Sequence, residues 1–337
     1  MEKLAKGISI IGAGSWGTTL AVILSRKGLE VDLYSPFKEH NLKMQREREN
    51  SLFLKGVKFP SSLNINLSLK DILEKEVIVL AVPVKFMRGV LKRFKKHNIP
   101  FKNKIFVSVS KGIEAKSLKS ASQIIKEELG TVNISVLSGP NIANEVLKGI
   151  PSTSILACKN KKLGEKLQML FTCSTFRIYL HNDIVGVEIG GALKNIIAIS
   201  CGISDGLGFG TNTKAALVTR GLAEIMRLGR KLGANTVTFW GISGLGDLVT
   251  TCFSPYSRNR SVGERIGKGQ SIDKIVKDMK MVAEGVETVK AAFQLSRKLN
   301  IDMPITSEVY SVLYRNKSPK KAVADLMTRP LKSEKLA

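Results

Sequence analysis

ISIIGAGSWGTTLAVILSRKG, residues 8–28, is the stretch that decides the fold. The apolar run Ile8 to Ile11 enters a glycine turn, and from Thr18 the pattern is that of a helix ending at Gly28. Gly12, Gly14 and Gly17 have the G-x-G-x-x-G spacing, with Ser15 and Trp16 between the last two. In strand-turn-helix order each glycine has a separate use. Gly12 allows a tight turn, Gly14 lets backbone approach a pyrophosphate, and Gly17 lets helix and strand pack closely, while the helix N-terminus supplies N–H donors. A turn that merely uses glycines is the alternative, and the position between strand and helix favours a dinucleotide site.

Outward from this stretch the alternation continues. EVDLYS, VIVLAVP, KIFVSVSKG, ISVLSGP, STSILAC and TFRIYL are rich in Val, Ile or Leu, as buried parallel strands are, and helical segments such as residues 116–130 fall between them. The order predicts an α/β fold: an N-terminal Rossmann-like doubly wound sheet over residues 1–183, binding the dinucleotide. Beyond residue 183 long amphipathic helices take over, at about 183–203, 213–232, 285–299 and 304–315, and predict an all-α C-terminal substrate and catalytic domain over 184–337. A cleft between two such domains is where a ligand is expected.

Composition narrows the function classes. The chain has 337 residues, 43% of them hydrophobic, enough for two cores. Its net charge of +25 makes nucleic acid or an anionic membrane surface a candidate partner. The cations are spread thinly, however, in runs such as KRFKKH (92–97) and KNKKLGEK (159–166), with no aromatic-laced basic motif. An anionic small-molecule substrate is the expectation, with no specific nucleic acid. Cys158, Cys173, Cys201 and Cys252 are scattered, as are His40, His97 and His181, so no metal is expected and the thiols are read as core groups. The N-terminus lacks a cleavage site after its apolar run, and no uninterrupted apolar run reaches about 18 residues, which predicts a soluble, cytoplasmic protein without a transmembrane segment.

Chemistry-bearing residues follow in chain order. About 20 residues after the glycines an NAD site usually places an acid at a strand end. Here stand Ser35, Pro36, Phe37 and Lys38, with Asp32 inside the strand, so Ser35 and Lys38 are candidates to accommodate a 2′-phosphate. Lys111 follows a strand in SVSKGIE, at the mouth of a ligand crevice. In SGPNIANE, Gly139 and Pro140 bring backbone close to that crevice, and Asn141 either caps the next helix or binds a ligand. Lys194 is the one cation in GGALKNIIAISCG, residues 190–202, where it is a surface accident, half of a buried ion pair or a working group. Its side chain leans back over Gly190 and Gly191, which predicts a hollow beneath the ammonium and weighs against a simple ion pair, unless the glycines serve close helix packing. Farther on come a lone acid, Asp247, then Thr250 and Thr251, and then Ser257-Arg258-Asn259-Arg260 opening a helix, a grouping suited to phosphate.

Taken together, IGAGSWGTTLA, RERENSLFLKGVKFP, LAVPV, SVSKGIE, LSGPNIANE, EIGGALKNIIAI, GFGTNTKAALVTRG and SGLGDLVTTCFSPYSRNR resemble NAD(P)-dependent glycerol-3-phosphate dehydrogenases of the bacterial type, from about Gly7 to Lys321. The resemblance implies reversible hydride transfer between NAD or NADP and C2 of dihydroxyacetone phosphate, giving sn-glycerol 3-phosphate for phospholipid synthesis, and a homodimer. It puts the proton-transferring lysine on Lys194 and substrate contacts on Lys111, Gly139, Asn141, Lys194, Asp247, Ser257, Arg258 and Asn259. Cofactor contacts fall on Gly12, Gly14, Ser15, Trp16, Gly17, Lys111, Ala143, Arg258, Val282 and Glu284. This chain departs from the pattern at Asn141, where the family often has Ser, and at Pro36, where it often has Arg or His. The chemistry agrees, because a ketone that receives hydride needs a proton donor at its oxygen. Lys111 would lower the pKa of Lys194 by repulsion, and Asp247 would oppose that shift. Another two-domain reductase, acting on 6-phosphogluconate or a 3-hydroxy acid, and a nucleotide-dependent binding protein are the alternatives.

Overall fold

The computed structural model describes residues 7–279, 283–331 and 333–334. They form two compact units, one made of the chain up to Ser110 with Ala121–Ile184, the other of Lys111–Ser120 with the chain from Val185 onward. Lys111–Ser120 thus lies outside the sheet unit to which its place in the sequence assigns it. Its apolar Ile113 belongs to the helical core, and the Ser120 hydroxyl donates to buried Glu188 at 2.6 Å.

The first unit is built on β1 (Ile8–Ile11), β2 (Val31–Tyr34), β3 (Leu63–Ile65), β4 (Val77–Leu80), β5 (Ile105–Ser108), β6 (Asn133–Ser138), β7 (Ser152–Cys158) and β8 (Phe176–His181). Their order in the sheet is β3-β2-β1-β4-β5-β6-β7-β8. Around it lie α1 (Ser15–Arg26), α2 (Lys38–Glu47), α3 (Leu69–Glu74), α4 (Val84–Phe94), α5 (Ala121–Leu129), α6 (Ala143–Leu147) and α7 (Lys161–Phe171). The doubly wound sheet is as the sequence predicts, with two corrections. β3, a three-residue edge strand, is too short to show as an apolar run. β7 pairs antiparallel with β6, although all the runs are expected to be parallel. A parallel return needs a crossover of about a dozen residues or more, usually through a substantial helix. Between β6 and β7 the chain has only the five-residue α6.

Both faces of the sheet are covered, and side chains alternate between them. Ile8 and Ile10 of β1 with Val77 and Val79 of β4 join one apolar layer, while Ile11 with Ile78 and Leu80 joins the other. The strand order reverses between β1 and its neighbours β2 and β4, and the turn after β1 therefore opens at the switch point where such sheets bind ligands.

The second unit is helical: α8 (Ile184–Gly206), α9 (Thr211–Lys231), α10 (Asp247–Phe253), α11 (Arg258–Gly267), α12 (Ile272–Asp278), α13 (Glu284–Lys298), α14 (Pro304–Tyr314) and α15 (Pro319–Met327). By length and composition α8, with 23 residues and an 18-residue window of mean hydropathy 1.5, could cross a membrane, a test that the buried core helix of a protein passes equally. Its charges, Glu188, Lys194 and Asp205, break up the apolar run in the sequence. Its most apolar window is 89% buried inside the protein, as befits the central helix of a core.

Candidate active site

In the sheet unit the glycine turn has two of the uses its spacing predicts, the tight turn at Gly12 and the close packing at Gly17. Gly12 sits at φ +114°, and a Cβ there would meet the carbonyl oxygen of Ala81 at 2.5 Å. A Cβ on Gly17 would collide with the carbonyl of Gly12, so helix and turn could not approach as they do. A Cβ on Gly14 would meet nothing within 4 Å, which leaves open space above the backbone at the start of α1. Gly14 is also the N-cap and offers no capping side chain, and the first turn holds no acid. The first N–H groups of a helix have no intrahelical partner, and a start without an acid favours an anion. Ser15 donates its hydroxyl to the Phe53 carbonyl at 2.9 Å. Trp16 packs edge-on against Phe176, and its indole Nε1 is buried without a hydrogen-bond partner among the described residues. An uncapped helix start and an orphaned donor fit an anionic dinucleotide.

At the end of β2 the structure separates the two candidates for a 2′-phosphate. Ser35 is buried, its hydroxyl accepts from Phe37 N–H at 3.3 Å, and its backbone is clamped on both sides by the Asn41 amide. It is a turn residue, because burial and local bonds hold it there, whereas Lys38 is exposed at the first position of α2. Asp32 is committed to Lys75 at 3.0 Å. Two aromatics missed in the sequence stand out: Phe37 after β2 and Phe86 after β4 are 70% and 52% exposed. Each follows the carboxyl end of a strand adjacent to β1, and that offset is the signal that could have found them.

Gly139 ends β6 at φ +155°, where a Cβ would press on Ser154 at 3.0 Å. Asn141 does not cap α6, whose N-cap is Ile142. Its Oδ1 accepts from Ser154 Oγ at 2.6 Å, while its Nδ2 is buried and has no partner among the described residues. Of the two uses considered for Asn141, only ligand binding is left with a donor to serve it. Ala143 opens α6.

In the helical unit Lys194, Asp247 and Lys111 come together. Asp247 is the first residue of α10 and is 1% exposed. Its Oδ1 accepts from Lys194 Nζ and its Oδ2 from Lys111 Nζ, the latter at 2.7 Å. Lys194 also donates to Thr251 Oγ1 at 2.7 Å, and that hydroxyl donates in turn to the Asp247 carbonyl at 2.6 Å. Two ammonium groups thus share one carboxylate in a buried place. The predicted hollow over a glycine floor is incorrect for Gly190, where a Cβ would meet the Ser243 carbonyl at 2.8 Å. That glycine allows α8 to pack against residues 242–246, the turn that delivers Asp247. Burial is the foremost cause that lowers the Lys194 pKa from 10.5 to about 8; Asp247 opposes the shift and Lys111 adds to it. The sequence anticipates both charge effects but not the dominance of burial. It also misses Glu188, whose bond to Ser120 ties the Lys111 segment to α8.

Ser257 caps α11, its Oγ accepting from Arg260 N–H at 3.2 Å, and exposed Arg258 begins that helix. Asn259 Oδ1 accepts from Gly285 N–H at 3.1 Å, which joins the start of α11 to the start of α13, where Glu284 lies. A Cβ on Gly285 would also reach Asn195, the neighbour of Lys194, at 3.1 Å. The start of α13 therefore packs on Asn195 of α8 and on Asn259 of α11. Arg260 is turned to Asp205 at 2.7 Å. Val282 lies outside the described residues.

A glycine turn at the switch point of a doubly wound sheet, followed by a helical unit with a buried lysine, defines a two-domain dinucleotide-dependent oxidoreductase. Residues 7–164 match the family model for the NAD-dependent glycerol-3-phosphate dehydrogenase N-terminus, and residues 183–324 that for its C-terminus. A glycerol-3-phosphate dehydrogenase [NAD(P)+] of Chlorobium chlorochromatii is 48% identical over 332 residues, covering 97% of this chain and 99% of its own. One from Citrifermentans bemidjiense is 47% identical over 337 residues, 98% of this chain and 99% of its own. The crystal structure of glycerol-3-phosphate dehydrogenase from Coxiella burnetii superposes with a TM-score of 0.92 at 37% identity, covering 96% of this chain and 99% of that one. The chain belongs to the NAD-dependent glycerol-3-phosphate dehydrogenase family.

Proposed function

We propose that this protein is a glycerol-3-phosphate dehydrogenase in which Lys194 exchanges a proton with the C2 oxygen of the substrate. The substrate pair is dihydroxyacetone phosphate and sn-glycerol 3-phosphate, the latter a precursor for phospholipids. NAD(P)H, when bound, supplies the hydride. The turn from Gly12 to Gly17, with Ser15 and Trp16, would hold its pyrophosphate, with Ala143, Arg258, Val282 and Glu284 as further contacts. The observation that carries the proposal is the Lys194 ammonium, buried between Asp247 and Thr251 with a pKa of about 8. At that value the lysine gives up a proton to a developing alkoxide and regains it near neutral pH. Asp247 aims the ammonium. Lys111 keeps the pKa down and adds a positive charge that favours the oxyanion. Gly139 and Asn141 would position the substrate, and Ser257, Arg258 and Asn259 would take its phosphate. The same reading makes the protein a cytoplasmic homodimer. Nicotinamide absorbance with dihydroxyacetone phosphate, beside 6-phosphogluconate and a 3-hydroxy acid, tests the substrate; faster turnover of either alternative would reassign it.

Two further outcomes are expected. Reduction needs Lys194 protonated and oxidation needs it neutral, so the reduction rate should fall as pH rises through about 8 while the oxidation rate climbs. Parallel pH profiles in both directions would remove Lys194 from the proton transfer. For the phosphate, Asn259→Ala is a poor probe because it would orphan the buried Gly285 N–H, a loss of about 1–3 kcal/mol. Asn259→Asp keeps an oxygen for Gly285 and replaces the amide donor with negative charge. It should depress kcat/KM for dihydroxyacetone phosphate far more than for dihydroxyacetone, and equal losses would assign Asn259 a structural role.

A further inference from the structure

RERENSLFLKGVKFP, residues 46–60, folds back on the glycine turn of its own unit. Its first residues close α2, where Arg48 turns the chain at φ +49°, and a bridge between Glu49 and Lys58, with an ion pair at 3.1 Å, makes a loop of the rest. One tie to the turn is the Ser15 bond to the Phe53 carbonyl.

Asn50 makes the other. It is fully buried, and its Nδ2 donates to the Ala13 carbonyl at 2.9 Å and to Thr18 Oγ1 at 2.8 Å. Its Oδ1 accepts from Phe53 N–H at 3.3 Å and lies 3.1 Å from His40 Nε2. A carbonyl only accepts, so the amide nitrogen must face Ala13, and both of its hydrogens are engaged there. Ala13 lies between the end of β1 and the start of α1, outside both regular ladders, and the bond from Asn50 sets how its peptide is turned. A trans peptide points its C=O and its N–H to opposite sides. With the Ala13 carbonyl held on the loop, the Gly14 N–H points away from the loop at the start of α1, where a Cβ on Gly14 would meet nothing within 4 Å.

From the buried Asn50–Ala13 bond and the open space at Gly14, we infer that Asn50 is a positioning residue for the cofactor: by holding the Ala13 carbonyl it aims the Gly14 N–H at the pyrophosphate of NAD(P)H. The inference rests on the reading that the turn from Gly12 to Gly17 holds that group. A purely structural Asn50 would do no more than satisfy a buried carbonyl. Thr18 separates the two roles, because its hydroxyl takes the second hydrogen of the same amide without turning the Ala13 peptide.

NADH and NADPH, titrated by nicotinamide fluorescence into the full-length protein, are the probes. Asn50→Ala should weaken both about tenfold or more, the worth of one hydrogen bond to a charged group, and by the same factor, since the pyrophosphate is common to them. Its kcat at saturating cofactor should stay within about threefold of wild type, as for a loss of binding that is the same in ground and transition states. Thr18→Val should lower Tm and keep cofactor affinity. Should Asn50→Ala fail to fold, Asn50→Ser leaves a smaller void, cannot span to Ala13, and should weaken both cofactors alike. Gly14→Val tests the underlying reading: a side chain there meets no protein atom near its Cβ, so the variant should fold, and it should lose cofactor because it takes the place of the pyrophosphate. Undiminished binding in Gly14→Val would move the pyrophosphate off the turn and overturn the inference with it. Lost binding in Gly14→Val beside undiminished affinity in a folded Asn50 variant would overturn the role of Asn50 alone. A loss in Thr18→Val equal to that in Asn50→Ala, or a loss confined to one of the two cofactors, would overturn that role as well.

Discussion

Lys194→Met is expected to fold, to bind cofactor, and to turn over about 10²–10⁴-fold more slowly, the usual loss when a positioned acid or base is removed. Folding should survive because of how the charges are shared. Lys194 and Lys111 both pair with Asp247, and after the substitution the carboxylate keeps Lys111 at 2.7 Å. The variant leaves no buried charge without a partner, and it removes an ammonium for which burial is costly. Methionine retains the apolar stem that packs along α8. Stability should therefore change by no more than the about 0.5–3 kcal/mol of ordinary substitutions, in either direction. Lys194→Arg should not restore turnover, since a guanidinium stays protonated near neutral pH and its planar fork does not match the place of a point charge. Folded Lys194→Met retaining more than about a tenth of wild-type kcat, set against that general-acid range, would exclude the role.

Much of this was legible because burial leaves its mark along the chain. The alternation of apolar runs with helices predicts the doubly wound sheet, and the glycine turn predicts its ligand edge. The cation inside an apolar helix singles out Lys194. Apolar runs report that a strand is buried but not which way it lies, so the antiparallel β7 was not visible. Partners distant in the chain are equally hidden. Lys194 meets a residue 53 positions away, and Lys111 one 136 positions away, so spacing alone does not show their common carboxylate, which the family resemblance places at the site. Gly190 shows the limit most clearly. A glycine before a lysine reads either as room for the lysine or as close helix packing, and the Ser243 carbonyl, 2.8 Å from a Cβ built on Gly190, decides for packing. Ser35 and Asn141 exchanged prospects for a similar reason. Local backbone bonds absorb the serine, and a bond to β7 leaves the asparagine with a donor to spare.

The same sharing of charge makes Asp247 the residue whose loss should do most harm to stability. Asp247→Asn is nearly isosteric, but it strands two ammonium groups, one of them on a residue only 6% exposed. Removing one partner of a buried pair costs about 3–5 kcal/mol, and the lower end is expected because Lys111 reaches some solvent. The cost should depend on pH in a definite direction. In the wild type Lys194 titrates at about 8 when folded and at 10.5 when unfolded. Asp247 raises the folded value, so in the variant it falls further. A lysine whose folded pKa is depressed binds fewer protons folded than unfolded, and stability rises with pH between the two values. The window opens at lower pH in Asp247→Asn than in the wild type. The deficit should be full near pH 6 and narrow as pH approaches 9, where Lys194 is largely neutral in both proteins. Denaturant unfolding at the two pH values measures it. The double variant Lys194→Met/Asp247→Asn should recover part of the loss, because the stranded ammonium is gone. A deficit that grows toward pH 9, or a double variant less stable than Asp247→Asn alone, would mean that Asp247 supports the fold by something other than its charge.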